Sequence, residues 1–373
     1  MTVGVFIGTR ADLSPLVPVL RLLDPSTASV ATAVGFDADA LRSEFTDRAV
    51  ALPVDQVGPL VHRAEAAELV RAGAEIAAGI PAWIRSRDVD VLVVLGDRWE
   101  LLYAVPPALL LGVRVVHLHG GEITEGALDD RIRHAMTKLA DQHAVATVAA
   151  AELVEQLGEP RARVHRTGAP GLDLLVAAPE LDSTGWREIL PGVPARPLAL
   201  VTVHPPTAAD EAPGDLAAAV LDAVADTCAA AIVTDPGSDP GRDEILRVLE
   251  AEHRPQFVRV PSLGRYYPAV LRSVDVVVGN SSSGVIEAAA AGVRAVDVGD
   301  RQHGRDRAAG VEHAAPDRAD IAAAIRRALA AGPAHDHGPY GDGHAAGRIA
   351  DVIADALKVP RRKPFVRADG TAP

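Results

Sequence analysis

Two successive series of short, uninterrupted apolar runs constrain this chain more than any other feature. The first comprises Val3–Ile7, Val30–Val34, Val91–Leu95, Val113–Leu118 and Val145–Val148. The second comprises Leu198–Val203, Ala231–Thr234, Phe257–Val260, Val274–Val278 and Ala295–Val298. Val/Ile-rich runs of this length read as strands. Because they do not alternate with polar residues, both faces of each strand are expected to be buried, as in a parallel sheet covered by helices. Helical patterns fall between them, near Leu16–Leu23, Ala64–Arg85, Leu101–Leu111 and Ile132–Leu139, then near Leu216–Cys228, Asp243–Glu252, Val285–Ala291 and Ile321–Ala330. The expected fold class is therefore α/β, with two doubly wound units in tandem, which suits 373 residues. The stretch Thr167–Pro197, with Gly168, Pro170, Pro179, Pro191 and Pro194, is the expected hinge. Ligands of open α/β sheets bind beyond the carboxyl ends of the strands, so an interdomain cleft is the expected site.

Charge and composition exclude several classes. A net charge of −13, with Arg361-Arg362-Lys363 as the only dense basic run, argues against a nucleic-acid partner. Cys228 is the only cysteine, so neither an intrachain disulfide nor a cysteine metal cluster is available. Met1 leads directly into Val3–Ile7 without a basic leader, and no run of about 18 apolar residues occurs. No membrane partner is expected, and the expected compartment is the cytosol.

The chemistry-bearing residues lie at strand ends. Gly96-Asp97-Arg98 follows one strand, Leu118-His119-Gly120-Gly121-Glu122 the next, and Asp129-Asp130-Arg131-Ile132-Arg133-His134 opens a helix. Carboxylates in such positions suit proton transfer rather than solvation of a helix face. Gly8-Thr9-Arg10-Ala11-Asp12 turns from the first strand into a helix, and by itself shows little more than a tight turn. Gly279-Asn280-Ser281-Ser282-Ser283-Gly284 is more informative. An ordinary N-cap needs one hydroxyl, whereas three between glycines, with Glu287 in the first turns of the following helix, suggest an anion site. Gly299-Asp300-Arg301-Gln302-His303-Gly304-Arg305 adds arginines at the same sheet edge, so a diphosphate can be clasped without a metal. His204 closes Leu198–Val203 and precedes Pro205-Pro206, which prevents an immediate helix.

A divalent-metal site is the competing reading. His117 and His119 form a His-x-His at a strand end, and His134, His204 and Asp300 are further candidate ligands. Alternation instead allows both histidines simply to line the sheet, and the nearby arginines oppose a cation. The balance favours no metal and no other cofactor.

Taken in order, these segments resemble the motif series of the UDP-N-acetylglucosamine 2-epimerase family, in its hydrolysing, sialic-acid-pathway branch. The residues that carry the likeness are Gly8–Asp12, Gly96–Arg98, His119–Glu122, Asp130–Leu139, Val201–Pro205, Gly279–Gly284, Gly299–Arg305 and Pro339–Gly343. The resemblance implies a glycosyltransferase-B-like fold of two Rossmann-like domains. An N-terminal domain over 1–170 would carry the sugar site and a C-terminal domain over 171–343 the UDP site. A helix over about 344–358 would return to the first domain, and the partners would be a UDP-sugar and a second copy in a homodimer; the stretch 359–373 reads from the sequence itself as a loose tail.

It also implies a reaction. UDP leaves UDP-N-acetylglucosamine by elimination across C1–C2, and the 2-acetamidoglucal is hydrated with inversion at C2 to N-acetylmannosamine. The C2 proton has no neighbouring carbonyl, so departure of the diphosphate must lead, and carboxylates near C1 and C2 both stabilise positive charge and move protons. Asp97, Glu122 and Asp129 match the acidic catalytic positions, with Asp130 an alternative for the third, and base and acid are left unassigned. His204 matches a histidine near the leaving phosphate. Arg10, Ser281, Ser282, Glu287 and Arg301 match residues that hold UDP, Glu287 at the ribose, while Arg98 and His134 resemble sugar-site residues. Two departures stand out: Pro15 replaces a frequent Lys, and Gly35–Leu41 follows the family loosely. A UDP-linked diacetamido-trideoxyhexose is therefore an alternative substrate. A non-hydrolysing epimerase or glycosyltransferase on the same fold, and the metal-dependent hydrolase, are the alternative activities.

Overall fold

Val91–Leu95 and Val3–Ile7, apolar throughout, are neighbours at the centre of a parallel sheet in a computed structural model of the chain. The structure describes residues 1–61, 66–123, 128–206, 212–237 and 241–367, without the side chains of 10, 11, 66 and 128. The strands of the first sheet are β1 (Val3–Ile7), β2 (Ala28–Val34), β3 (Val54–Leu60), β4 (Val91–Leu95), β5 (Arg114–Leu118), β6 (Gln142–Val145) and β7 (Val164–Arg166). They lie in the order β3-β2-β1-β4-β5-β6-β7, all parallel. Those of the second are β8 (Leu198–Thr202), β9 (Ala230–Thr234), β10 (Phe257–Arg259), β11 (Val276–Gly279), β12 (Arg294–Val298) and β13 (Val311–Ala314), in the order β10-β9-β8-β11-β12-β13, again parallel. Each sheet is doubly wound, and its order reverses beside its first strand, β1 or β8, where a crevice forms at the carboxyl ends.

The chain forms two units. One takes the described residues of 1–123, 128–173 and 343–367, the other those of 174–342. Each has its own core: Leu92, Val94 and Val115 pack with Ile76, Ile80 and Trp83 in the first, and Val201, Val278 and Val296 with Leu216, Val220 and Ile325 in the second. The helix Ala345–Asp355 belongs to the first unit, packs against Arg10–Leu20, and has its leading N–H groups of Ala345 and Ala346 capped by the Asp173 carboxylate at 2.9 and 2.7 Å. Among the described residues no helix is long and apolar enough to cross a membrane.

Several sequence expectations are corrected. The strand expected at Val145–Val148 lies at Gln142–Val145, because Thr147 caps the helix Val148–Gln156 by accepting from the Ala150 N–H. The helix expected at Val285–Ala291 is Ser282–Ile286, so Glu287 is its C-cap rather than a first-turn residue. The tail is not loose over its described part. Arg114 donates to the Val359 carbonyl at 2.8 Å, and Arg163 donates to the Pro360 and Arg362 carbonyls at 2.8 and 3.0 Å. Lys363 ion-pairs with buried Glu159 at 3.0 Å, and the Phe365 ring fills the space left by the absent side chain of Gly158.

Candidate functional site

In the first unit the turns after β1, β4 and β5 carry the candidate residues. After β1, the Asp12 carboxylate accepts the N–H groups of Gly8 and Thr9 at 3.0 and 2.8 Å and closes a capping box for Arg10–Leu20. Burial pushes its pKa up to about 6, the neighbouring Glu100 adds to the rise, and the Thr9 N–H and the Arg98 charge oppose it. The Arg10 side chain lies outside the described residues.

After β4, the Gly96 N–H donates to the Leu118 carbonyl at 2.9 Å and its own carbonyl accepts from His117 Nε2 at 2.7 Å. His117 is fully buried, and desolvation drops its pKa to about 3, so it is a neutral imidazole that holds the turn placing Asp97. Arg98 donates to Glu100 Oε1 at 3.4 Å. Glu100 is fully buried at the start of the helix Leu101–Leu110, and its Oε2 has no partner among the described residues.

After β5, His119 takes a left-handed φ of 59° and its Nδ1 lies 2.6 Å from Glu122 Oε1. Between them, Gly121 also has positive φ, and a Cβ there would sit 2.2 Å from the Ala150 carbonyl oxygen, so only glycine lets this turn pack on the helix Val148–Gln156. Arg133, buried on the helix Leu128–Leu139, joins the turns. Its Nη1 donates to the Glu122 carbonyl at 2.6 Å and lies 3.6 Å from Asp130, while Nη2 donates to the Asp97 carboxylate. Asp130 also lies 3.4 Å from His134 Nε2. Asp97, the Glu122 backbone and Asp130 thus share one guanidinium, whereas Asp129 is exposed and its charge acts on Arg98.

In the second unit the organising residue is Asn280. Gly279 has φ 139°, and a Cβ there would lie 2.0 Å from the Thr202 carbonyl oxygen, so β11 ends in close contact with β8. The next residue, fully buried Asn280, accepts from the His204 N–H at 2.7 Å and donates to the His204 carbonyl at 2.8 Å. Its own carbonyl accepts from Arg301 Nη1 at 3.1 Å and Gln302 Nε2 at 3.0 Å. His204 Nδ1 accepts from the Gly237 N–H at 3.0 Å, which makes Nε2 the protonated nitrogen of the neutral ring. Ser281 is the N-cap of Ser282–Ile286 and accepts from the Ser283 N–H, which uses one hydroxyl of the run as an ordinary cap. The Glu287 carboxylate accepts from Tyr267 at 2.5 Å, and burial raises its pKa.

Of the residues in the metal reading, His117 Nε2 is committed to the Gly96 carbonyl and His119 leaves the strand alternation through its left-handed backbone; among the described residues no three His, Cys, Asp or Glu side chains converge as a metal site. Sequence reasoning did not single out Arg133, Glu100, Asn280 or Tyr267. Arg133 lies within Asp130–Leu139 and Asn280 within Gly279–Gly284, and an arginine on the helix face of buried Ile132 and Met136 is the signal that marks Arg133.

The family model for UDP-N-acetylglucosamine 2-epimerase matches residues 30–354. The chain is 30% identical over 369 residues to the UDP-N,N'-diacetylbacillosamine 2-epimerase (hydrolyzing) of Legionella pneumophila, covering 93% of both chains. It is 30% identical over 283 residues to the UDP-N-acetylglucosamine 2-epimerase of Neisseria meningitidis serogroup B, covering 74% of both. In fold it is similar to the crystal structure of UDP-GlcNAc 2-epimerase from Neisseria meningitidis bound to UDP-GlcNAc, with a TM-score of 0.75 at 15% identity, covering 95% of this chain and 100% of that one.

Proposed function

The chain belongs to the UDP-N-acetylglucosamine 2-epimerase family, and from that premise we propose that it is a hydrolysing 2-epimerase that releases UDP and a free 2-epimerised acetamido sugar. The observation that carries this reading is the Arg133 guanidinium, which holds Asp97, the Glu122 backbone and Asp130 together at the carboxyl ends of β4 and β5. Carboxylates fixed at one locus suit a reaction that removes a proton from C2 and returns one to its opposite face.

In the first step the C1–O bond to UDP breaks as a carboxylate takes the C2 proton, which leaves the glycal. In the second, a proton is delivered to C2 while water adds at C1, and the free sugar results. Asp97, Glu122 and Asp129 or Asp130 serve as proton carriers and as counter-charges to the electron-poor ring. Arg98 and His134 bind the sugar. His204 offers Nε2–H to the departing phosphate, a role supported by the Gly237 bond to the other ring nitrogen. Arg10, Ser281, Ser282 and Arg301 hold the diphosphate and Glu287 the ribose. No metal or other cofactor enters this scheme.

The substrate is UDP-N-acetylglucosamine or a diacetamido relative of it, the second because the Legionella relative is named for UDP-N,N'-diacetylbacillosamine. Incubation with UDP-N-acetylglucosamine and with that diacetamido sugar, in heavy water with NMR of the products, tests the reading. Free UDP and a free sugar carrying deuterium at C2 are expected. A product still joined to UDP, or dependence on an acceptor, would replace it with the non-hydrolysing or glycosyltransferase alternative. A homodimer is proposed as well: exposed Val70, Leu102 and Leu110, on the packed helices Ala66–Arg87 and Leu101–Leu110, would be covered by a second copy, and light scattering measures this directly.

A further inference from the structure

Tyr267 opens the helix Tyr267–Ser273 and points its hydroxyl at Glu287, donating to Oε2 at 2.5 Å. The Ser283 hydroxyl acts on Tyr267 and lies 3.1 Å from the Ser281 hydroxyl. Tyr267 therefore stands between the serine turn and this carboxylate. Tyr267 and Glu287 are both half-buried, and burial raises the pKa of each, that of Tyr267 well above 10. The phenol accordingly remains a donor at any working pH. Among the described residues no other group donates to the Glu287 carboxylate.

A carboxylate has room for about four hydrogen-bond donors. Half-buried Glu287 receives one, on one oxygen, and that bond fixes the plane of the group. Its second oxygen, Oε1, is left oriented for donors from a ligand, and paired hydroxyls on a sugar ring are the chemistry that fits. Without the phenol, the carboxylate would lose both its donor and its orientation.

We propose that Tyr267 is a positioning residue that aims Glu287 at a ribose hydroxyl of the nucleotide, and that selectivity for that hydroxyl depends on it. This inference rests on the reading that the second unit binds UDP.

Calorimetric titration of the full chain with UDP, 2′-deoxy-UDP and 3′-deoxy-UDP tests it. The wild type is expected to bind one deoxy analogue at least about tenfold more weakly than UDP, the usual worth of a hydrogen bond to a charged group. In Tyr267→Phe that ratio is expected to fall to about threefold or less, with affinity for the weaker deoxy analogue nearly unchanged. A purely structural tyrosine would weaken all three ligands alike, and that result would overturn the proposal. Ser283→Ala, which removes the hydroxyl that acts on the phenol without altering Tyr267, is expected to reduce the ratio about two- to threefold and decides the matter if Tyr267→Phe does not fold. An unchanged ratio in that variant then overturns the proposal. Wild-type protein that binds UDP without hydroxyl selectivity overturns this inference and leaves the nucleotide reading standing, whereas failure to bind UDP at all removes both.

Discussion

Arg133 donates to the carboxylate of Asp97 from 36 residues further along the chain, and the same guanidinium donates to the Glu122 carbonyl. A lysine at this position keeps the charge but cannot serve two acceptors with a planar fork. Arg133→Lys is therefore expected to leave the protein folded, to lower kcat by about 100-fold, and to change KM by less than about threefold. Steady-state kinetics with UDP-N-acetylglucosamine provide the check. A normal kcat would mean that the spacing of these groups is set elsewhere.

The carboxylates themselves are open to a more direct test. Asp97→Asn and Glu122→Gln keep shape and remove proton affinity, so each is expected to lower turnover by about 100-fold or more while UDP affinity, which is assigned to other residues, is kept. Either variant turning over at a near-normal rate would take that residue out of the proton transfer.

His117 gives a pH signature in stability. Its folded pKa, about 3, lies below the ordinary value of 6.5, so below pH 6.5 the unfolded chain binds a proton that the folded chain refuses. Its contribution to stability is thus fully present above pH 6.5 and declines as the pH falls toward 3, by on the order of 1 kcal/mol per pH unit. Asp12, raised from 3.8 to about 6, acts in the opposite sense: the stability conferred by its protonated form is lost as the pH rises through that window. The stability difference between wild type and His117→Asn isolates the histidine. Measured by urea unfolding, the wild-type advantage is expected to shrink from pH 7 to pH 5, and a pH-independent difference would contradict a buried neutral imidazole.

The strands at the sheet centres were legible because burial on both faces writes an unbroken apolar run, as in β1 and β4. β3 was not: Asp55, Gln56, Gly58 and Pro59 interrupt it, which an edge strand with a half-exposed face permits. β7 and β13 are short edge-side strands whose pairing is settled by their neighbours. In the candidate site, carboxylates at strand ends announced themselves, but the residues that hold them did not. Arg133 reads as one charge on an amphipathic helix, and Asn280 as an ordinary turn residue after glycine, because their partners are distant in sequence. Glu100 is equally silent, since its burial follows only from the tertiary fold.

Deletion of residues 359–373 tests the strap on the first unit. Arg114 and Arg163 would lose their backbone acceptors at Val359, Pro360 and Arg362, and Glu159 would lose Lys363 while keeping Lys138 and His143. Each buried guanidinium left short of an acceptor costs about 1–3 kcal/mol, so Tm is expected to fall by at least about 4 °C. Scanning calorimetry measures the shift, and an unchanged Tm would show that the stretch contributes nothing.

Asn280→Asp separates shape from hydrogen-bond polarity in the second unit. The carboxylate would still accept the His204 N–H, but where Asn280 now donates to the His204 carbonyl it would present a second acceptor. Two acceptors facing each other in a buried site repel, and the new negative charge would lie beside the serine turn assigned to a diphosphate. The variant is expected to bind UDP at least about tenfold more weakly and to lose kcat as the His204 backbone shifts. Asn280→Ser, which is small and uncharged, is expected to keep more UDP affinity than the aspartate because it adds no repulsion. If titration with UDP ranked the two variants equally, charge at this position would be irrelevant to the ligand, and the assignment of the diphosphate to the serine turn would have to be withdrawn.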